Sequence, residues 1–469
     1  MRQFIFLVAA LLSASAAWAD GFLYVSGEVL ANPKPDRHEH ARHWLATRGF
    51  EVLQIDRHSG LMRVRVQPGR ENEVITELSS HGDFEYAERN GIGTGGANPN
   101  DTFFNLQWHL ANTGQSGGTS GADIDALLAW NITTGSPSVG IAVLDTGIRS
   151  DHPEFAGRIA ANGWDFVNSD SNPEGDHGHG TWVSGAIAAN ANNNFAVTGV
   201  DWACKIIPIK VLNSDNVGTT FNLAQGLNYA AVQSNVQIVN LSLINYPCST
   251  TLNNALLNAR NAGKILLACA GNGGIGDADA SCPGASPWTI SIGWTTRFDA
   301  RDGNSATGNA LDFVAPGRDI VTTSFSSVSN TAALVSGCSI ATPITAGVVG
   351  LLYARALELG VTLTHDAVYE LLNAGAEDMV GPSQEDKPGW DPYFGHGRIN
   401  AYRSLLAMNQ DVACAADLNI SGSVDVQDLL ILLATWGPVP AGHPADLNGS
   451  GTVDVQDLLI LLASWGECP

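Results

Sequence analysis

Four polar residues lie at positions where an α/β protein can build a catalytic site. Asp145 directly follows an apolar strand-like run, and His179 and Ser339 each begin a helical pattern. In such a set the imidazole takes a proton from the serine hydroxyl, while the carboxylate holds its tautomer and stabilises the imidazolium. Asn272 follows a second strand-like run and carries a side-chain carboxamide. These residue types predict nucleophilic attack by a serine through an oxyanion intermediate.

Each of these residues, taken alone, has an ordinary structural explanation. An Asp after a strand is often structural, a Ser at a helix start is often an N-cap, and Asn-Gly is typical of a turn. Cys338 is an alternative nucleophile, but a side chain next to Ser339 on the same turn points elsewhere. His152 and His177 lie near His179 in the chain but lack its His-Gly-Thr context. The joint pattern favours Ser339 and His179.

The local motifs around the four residues follow one order along the chain. They are Ala-Val-Leu-Asp-Thr-Gly-Ile at Asp145, His-Gly-Thr-Trp-Val-Ser-Gly at His179, Ala-Cys-Ala-Gly-Asn-Gly at Asn272 and Gly-Cys-Ser-Ile-Ala-Thr-Pro at Ser339. These motifs resemble those of the subtilisin family, whose triad follows the chain order Asp, His, Ser. The resemblance implies a serine endopeptidase that hydrolyses peptide bonds in proteins through an acyl-enzyme, with Asn272 in the oxyanion hole. A catalytically silent binding or scaffold protein of the same fold is the alternative.

The same resemblance implies a set of substrate-binding residues. One segment would pair with an extended peptide, and another would form a wall of the first specificity pocket. The residues are Leu241, Ser242 and Leu243 in the first segment, and Ala268, Ala270 and Gly271 in the second. Ile244 and Asn245 follow where the family usually has glycine, so we expect a bulkier edge on the non-primed side of the cleft.

The elements that must hold these residues follow from hydrophobic patterning. Short aliphatic runs alternate with helical patterns through residues 98–408, which predicts an α/β fold with a mainly parallel sheet. The predicted strands are Val139–Leu144, Ile206–Val211, Val236–Leu243, Lys264–Ala270 and Thr289–Gly293, and the predicted helices are Thr181–Ala191, Thr220–Gln233, Thr251–Ala262 and Ile340–Leu359. With the resemblance, the expected fold of this peptidase domain is a subtilisin-like three-layer sandwich.

Two segments precede the predicted peptidase domain. Residues 1–19 combine a basic start, an apolar run and an Ala-Trp-Ala end, which is typical of a secretory signal peptide. Residues 20–97 have a small α/β pattern, and the resemblance implies a propeptide that assists folding and inhibits the enzyme until it is removed. The sequence thus predicts a secreted, extracellular protein. The net charge of −23 disfavours nucleic-acid binding, and no membrane span is expected after the signal peptide.

Residues 411–469 contain two nearly identical copies of one segment, 417–437 and 446–466. Residues with side-chain oxygens recur at loop positions 1, 3, 5, 9 and 12, and glycine stands at position 6. They are Asp417, Asn419, Ser421, Asp425 and Asp428 in the first copy, and Asp446, Asn448, Ser450, Asp454 and Asp457 in the second. The copies resemble the dockerin module, an α-helical, EF-hand-like repeat pair, which implies bound calcium and a cohesin-like or cell-surface partner. A metal-free helical tail is the alternative.

Two further features concern stability. The resemblance places Glu154 and the loop Asn190–Asn194 near a calcium site of the peptidase domain. The chain has seven cysteines, so at least one thiol has no partner within the molecule. The candidate disulfides are Cys248 with Cys282 in the peptidase domain and Cys414 with Cys468 at the ends of the repeat domain.

Overall fold

The computed structural model describes residues 16–19, 22–56, 59–67, 70–91, 98–280, 282–413, 416, 418, 423–424, 426–439, 445–447 and 452–467. The chain divides into two units, residues 1–95 together with residue 469, and residues 96–468. Residues 1–15 of the predicted signal peptide lie outside the described residues, as do both cysteines of the candidate pair that brackets the repeats. Those predictions stay predictions.

The first unit is a five-stranded antiparallel sheet with two helices. Its elements are β1 (Ala16–Ala19), β2 (Phe22–Pro33), α1 (His38–Thr47), β3 (Glu51–Ile55), β4 (Met62–Arg65), α2 (Glu71–Ser80) and β5 (Phe84–Gly91). The strand order is β1-β2-β4-β3, and β5 also pairs with β2. Met62 and Val64 point into the core from β4 while its two arginines are more exposed, the alternation expected of a strand with one solvated face. Helix residues Leu45 and Leu78 complete this core.

The second unit is built on a seven-stranded sheet. Its strands are β6 (Gly140–Asp145), β7 (Trp164–Asp165), β8 (Lys205–Lys210), β9 (Ile238–Leu241), β10 (Ile265–Cys269), β11 (Ile290–Thr295) and β12 (Phe313–Pro316). The order is β12-β11-β10-β9-β6-β8-β7, and every neighbouring pair is parallel. All six residues of β6 are buried, as expected for a strand covered on both faces. The predicted parallel α/β sheet is confirmed.

Helices cover both faces of this sheet, which gives three layers. They are α3 (Ala126–Ala129), α4 (His179–Ala188), α5 (Thr220–Val232), α6 (Thr250–Asn261), α7 (Cys338–Leu359), α8 (His365–Gly375) and α9 (Ala401–Ala413), with a hairpin of β13 (Ile320–Thr323) and β14 (Ala332–Val335) between β12 and α7. Helices α5 and α6 pack on one face, where Leu223 and Leu256 meet Ala142 and Leu144 of β6. Ile141 points to the other face and approaches α7 at Gly350. The subtilisin-like three-layer fold is therefore confirmed.

Helix α7 is long and apolar enough, by length and composition alone, to cross a membrane. Its most apolar window is 83% buried inside the protein. It contacts five strands of the sheet and helix α4, and Gly347 packs so closely against Val200 that a Cβ would lie 2.5 Å from that side chain. The helix is thus the central core helix of the second unit, as its apolar pattern indicates.

The two C-terminal copies form one interlocked pair. Their elements are β15 (Ser423–Val424), α10 (Val426–Ala434), β16 (Gly437–Pro438), β17 (Thr452–Val453), α11 (Val455–Ala463) and β18 (Gly466–Glu467). Strand β15 pairs with β18, and β16 pairs with β17, so each strand of one copy pairs with a strand of the other. Val424, Leu432, Val453 and Leu461 share a small core. The repeat therefore folds as a helical pair, as the duplication indicates.

Candidate active site

The carboxylate of Asp145 and the imidazole of His179 are hydrogen-bonded. Asp145 is the last residue of β6 and is fully buried, and His179 is the first residue of α4. Nδ1 of His179 lies 2.8 Å from Oδ1 and 2.9 Å from Oδ2 of Asp145. The backbone N–H of Thr146 donates to Oδ1 at 2.7 Å and holds the carboxylate. Because the carboxylate accepts the Nδ1 hydrogen, Nε2 of the neutral ring is left able to accept a proton.

The glycine that follows His179 is required by a close backbone approach. A Cβ on Gly180 would lie 2.1 Å from the carbonyl oxygen of Gly147 and 3.1 Å from Oδ1 of Asp145. The first turn of α4 therefore packs directly against the loop that follows β6. This packing brings the histidine to the carboxylate and explains the His-Gly pair of the motif.

The pKa of His179 reflects two opposing effects. Burial of the ring lowers the pKa, because it disfavours the charged imidazolium. The negative charge of Asp145 and its hydrogen bond to the ring act in the other direction and outweigh burial, so the pKa is raised above the ordinary value of 6.5. The site thus stabilises the protonated imidazole that results when the ring accepts a proton.

Ser339 is the second residue of α7, and its backbone is anchored from outside the helix. Pro343 has no N–H and so cannot donate to the carbonyl oxygen of Ser339, four residues earlier. The Ser242 hydroxyl donates to that oxygen at 2.9 Å instead, and Asn240 Nδ2 donates to the Ser242 hydroxyl at 2.9 Å. The Ser339 hydroxyl has a long bond, 3.4 Å, to the Ser242 carbonyl oxygen. Because of Pro343, the Ser339 carbonyl oxygen has no partner within the helix and can accept the bond from Ser242, which connects the start of α7 to the segment after β9.

Asn272 lies shortly after the end of β10, and the Cys338 N–H fixes which way its carboxamide faces. Oδ1 of Asn272 accepts this backbone N–H at 3.0 Å. Since an N–H can only donate, the oxygen faces α7 and the Nδ2 donor is left for other partners. The preceding Gly271 has a φ of 136° and no room for a side chain, because a Cβ there would lie 2.2 Å from Oδ2 of Asp277.

One cleft brings His179, Asn272 and Ser339 together. All three line a cavity of about 730 Å³, a size typical of ligand-binding pockets. Its other walls are formed mainly by residues that follow β8 and β9 and by residues just before and at the start of α7. Among them are Trp182, Leu212, Val217, Tyr246, Val335 and Ile340. The cleft is therefore large enough to hold a ligand and offers it both polar and apolar side chains.

Residues 136–397 match the sequence model of the subtilase family, Peptidase S8. The chain belongs to the subtilase family. It is 31% identical over 385 residues to a thermophilic serine proteinase from Bacillus sp. (strain AK1), covering 81% of this chain and 88% of that protein. It is also 33% identical over 376 residues to a cell wall-associated protease from Bacillus subtilis (strain 168), covering 76% of this chain and 41% of that longer protein.

Among solved structures, this subtilase is similar to a protease from Pseudoalteromonas arctica PAMC 21717. The TM-score is 0.58 and the sequence identity is 25%, covering 66% of this chain and 99% of that one. Together with the family match and the serine proteinase relatives, this similarity identifies the chain as a serine endopeptidase.

The residues expected to bind substrate in this subtilase occupy two different environments. Ser242 and Leu243 line the cleft, and so does Ile244, which follows them. The side chains of Leu241, Ala268 and Ala270 are at most 1% exposed and lie behind the cleft, and Gly271 is also buried. Leu241 and Ala268 are paired in register between β9 and β10.

Sequence patterning did not identify several residues that line the cleft. Leu212 and Val217 belong to the loop after β8, and Tyr246 to the segment after β9. The available signal was their position just beyond the carboxyl ends of parallel strands, where sites form in open α/β sheets. Val335 ends β14, whose apolar character is indistinguishable from that of a core strand.

Two disulfides border the cleft of the subtilase. The predicted bond between Cys248 and Cys282 is present, and a second bond joins Cys269 to Cys338. Because the sulfur of Cys338 is bonded, it is not available as a nucleophile, which removes the cysteine alternative. Cys204 is a buried free thiol, in keeping with the odd number of cysteines.

Glu154 lies beside the asparagine-rich loop, as expected, and is fully buried. Oε2 accepts from Nδ2 of Asn193 at 2.9 Å, and Oε1 accepts from the backbone N–H of Val197 at 3.0 Å. Burial raises the pKa of Glu154 to about 7. The described parts of the chain contain no group of three or more His, Cys, Asp and Glu side chains placed to hold a metal ion.

The expected calcium ligands of the repeats are described only in part. Asp428, Asp446, Asp454 and Asp457 belong to the described residues, and the other six lie outside them: Asp417, Asn419, Ser421, Asp425, Asn448 and Ser450. Asp428 and Asp457 occupy equivalent places in α10 and α11, and both are fully buried. Asp454 caps α11 by accepting the N–H of Gln456 at 2.7 Å, while Asp457 accepts the N–H of Asp454 at 2.8 Å.

Proposed function

We propose that this subtilase is an exported endopeptidase in which Ser339 attacks the scissile carbonyl and His179 acts first as base and then as acid. The observation that carries the proposal is the bond between Asp145 and Nδ1 of His179 at the edge of the cleft that also holds Ser339 and Asn272. That bond leaves Nε2 as the proton acceptor and orients the ring. Protein and peptide chains are the substrates that the cleft and the family support.

The reaction begins when the Ser339 hydroxyl turns from the Ser242 carbonyl oxygen toward the imidazole. The bond to Ser242 is long, 3.4 Å, so little is lost when it breaks. As the oxygen attacks, its proton passes to Nε2 of His179, and the charge of Asp145 stabilises the imidazolium. The substrate carbonyl becomes an oxyanion, which accepts hydrogen bonds from Nδ2 of Asn272 and from backbone N–H groups at the start of α7.

The imidazolium then gives its proton to the leaving amine, and the acyl-enzyme on Ser339 remains. Water enters the cleft and attacks the ester carbonyl, with His179 again taking the proton. The same Asn272 donor stabilises the second oxyanion. Collapse of this intermediate releases the carboxylic acid product and restores the Ser339 hydroxyl.

A fluorophosphonate probe tests the proposal directly. We expect the purified, matured protein to form one covalent adduct, located on Ser339 by peptide mass spectrometry, because only an activated serine attacks the phosphorus. The Ser339→Ala variant, shown to be folded by circular dichroism, serves as the control and should remain unlabelled. Absence of the adduct on folded wild-type protein, or an adduct that persists in the variant, would contradict the assignment.

We also propose that residues 1–19 direct export and that residues 20–97 act as an inhibitory propeptide. The cleavage-type Ala-Trp-Ala motif and the separate α/β unit that precedes the peptidase domain in the sequence support this organisation. The cell-wall association in the name of the Bacillus subtilis relative agrees with export.

A second function, attachment through the C-terminal repeats, is favoured by a duplicated apolar surface. Leu430 and Trp436 are 60% and 49% exposed, and their equivalents Leu459 and Trp465 are 61% and 48% exposed. Exposed apolar side chains at equivalent places of two copies are typical of a docking surface. We propose that this surface binds a cohesin-like or other cell-surface protein when the loops hold calcium. The carboxylate, amide and hydroxyl oxygens of the loops suit that ion.

Attachment can be measured with full-length protein carrying Ser339→Ala, which prevents digestion of the partner. We expect Trp436→Ser/Trp465→Ser to reduce retention on cell-surface fractions at least about tenfold, since buried aromatic anchors dominate such interfaces. A chelator should have the same effect. Val232→Ser is the matched control, because Val232 is 78% exposed and lies outside the repeats. Retention that is unchanged by the tryptophan substitutions would exclude this surface as the attachment site.

A further inference from the structure

One covalent bond joins the segment that carries Asn272 to the segment that carries Ser339. Cys269 is the last residue of β10, and Cys338 is the first residue of α7, directly before Ser339. The two cysteines are 69 positions apart in sequence, and their Cα atoms lie 5.2 Å apart. The disulfide therefore links two elements that are otherwise held together by packing and hydrogen bonds.

This disulfide lies directly behind the reacting side chains. Sγ of Cys269 is 4.0 Å from Oγ of Ser339. The backbone N–H of Cys338 donates to Oδ1 of Asn272 at 3.0 Å, which makes a second connection between the same two segments. Both cysteines are at most 1% exposed. The disulfide is thus buried in the packed region behind the site and is not a surface cross-link.

Each linked segment contains a glycine with a left-handed backbone conformation. Gly271 precedes Asn272 and has a φ of 136°, and Gly337 precedes Cys338 and has a φ of 133°. Glycine gains access to this region because it has no Cβ, and the same property gives it many alternative conformations. Both residues therefore allow the backbone next to a functional side chain to turn. The disulfide connects the segments at points beside both glycines and restrains them together.

We propose that the Cys269–Cys338 disulfide is a positioning device for catalysis, which fixes the Ser339 hydroxyl relative to the Asn272 carboxamide. The oxyanion must form within hydrogen-bond reach of Nδ2 while the serine oxygen attacks, so both groups have to be placed at once. A misplacement of about 1 Å is enough to lower a rate about 10²-fold. The inference rests on the proposed roles of Ser339 and Asn272.

The first test is the kinetics of matured Cys269→Ala/Cys338→Ala with a peptide substrate. We expect kcat to fall about 10- to 100-fold and KM to stay within about twofold, because neither cysteine lines the cleft while the reacting groups are less well placed. Cys248→Ala/Cys282→Ala is the matched control. This disulfide includes Cys282, whose backbone exchanges hydrogen bonds with the backbone of Tyr246 in the cleft wall. Its removal is expected to change KM and to leave kcat within about twofold.

A double-mutant cycle with Asn272→Ala separates positioning from general stability. In the parent this substitution is expected to lower kcat about 10²- to 10³-fold, the loss known for the corresponding donor of subtilisin. In the disulfide-free background the same substitution should cost only about tenfold, because a misplaced donor contributes less. A disulfide with a merely structural role would leave the effect of Asn272→Ala unchanged.

The outcomes are distinguishable. A disulfide-free variant with parental kcat, or with the full Asn272→Ala effect, would overturn the positioning role even though wild-type protein turns over substrate. A wild-type protein with no turnover and no label on Ser339 would instead overturn the proposed function. If the double alanine variant does not fold because of the volume lost in the core, Cys269→Ala/Cys338→Ser restores part of that volume and carries the same expectation. Thermal unfolding of each variant shows which case applies.

Discussion

Replacement of Ser339 by alanine is expected to lower kcat by about 10⁶-fold, the order of loss seen when subtilisin loses its nucleophile. Without the hydroxyl, no acyl-enzyme forms, and the residual rate comes from substrate binding and the oxyanion donors alone. The Ser339 hydroxyl makes a long bond of 3.4 Å to the Ser242 carbonyl oxygen and a weak contact of 4.0 Å with Sγ of Cys269, so its removal leaves the packing of α7 intact. The measurement is the cleavage of casein and of a chromogenic peptide by purified, matured enzyme.

Two controls make this result interpretable. The variant must retain the thermal unfolding temperature of the parent within a few degrees. This is expected because the bond that anchors α7, from the Ser242 hydroxyl to the Ser339 carbonyl oxygen, does not involve the Ser339 side chain. It must also be purified from a host that lacks its own extracellular proteases, and residues 20–97 must be cut from parent and variant by the same added protease, which is removed before the assay. Retained cleavage of casein at more than about one hundredth of the parental rate would mean that Ser339 is not the nucleophile.

Asp145→Asn is expected to lower kcat at neutral pH by about 10⁴-fold. The amide is close in shape to the carboxylate but presents a donor to His179, which favours the wrong tautomer of the ring. The buried carboxylate contacts Nδ1 through both oxygens, so the loss of its charge is felt by the whole imidazole. Asn272→Ala, which leaves Asp145 in place, is the matched control. Its loss of kcat should be smaller, and the size of that loss should not change with the protonation state of His179.

The parent enzyme and Asp145→Asn are expected to differ in the pH dependence of kcat/KM. The base must be neutral, and the pKa of His179 is raised above 6.5 by Asp145, so parental kcat/KM should fall on the acid side with a midpoint above 6.5. In Asp145→Asn, burial still lowers the pKa while both raising contributions are gone, so the midpoint should move to lower pH. A midpoint that does not move, with the carboxylate removed, would contradict the direct coupling of these two residues.

The core and the places of Asp145, His179 and Ser339 at the ends of their elements could be predicted because their signals are local. A strand buried on both faces is an apolar run, and β6 ends at Asp145, one residue after the predicted end at Leu144. Helix α7 begins at Cys338, two residues before the predicted start, and α4 begins at His179, also two residues early. Helix starts are set by capping and packing, as the contact between Gly180 and Gly147 illustrates, and those interactions are not visible in periodicity.

The features that could not be predicted depend on contacts between distant parts of the chain. The predicted strand Val236–Leu243 is shorter in the structure, Ile238–Leu241, because Ser242 and Leu243 leave the sheet and line the cleft. The disulfide between Cys269 and Cys338 had no sequence signal, since seven cysteines allow many pairings and spacing does not choose among them. The pair Cys248 and Cys282 was accessible to sequence reasoning because both cysteines lie in loop-like segments.

The strand exchange within the C-terminal repeats limits how this region can be moved or shortened. Each short strand of one copy pairs with a strand of the other copy, and a single core is shared between them. A truncation after the first copy would leave two strand edges without partners and half of an apolar core facing water. A fusion that places this tail on another enzyme should therefore carry both copies, because the two fold as one unit.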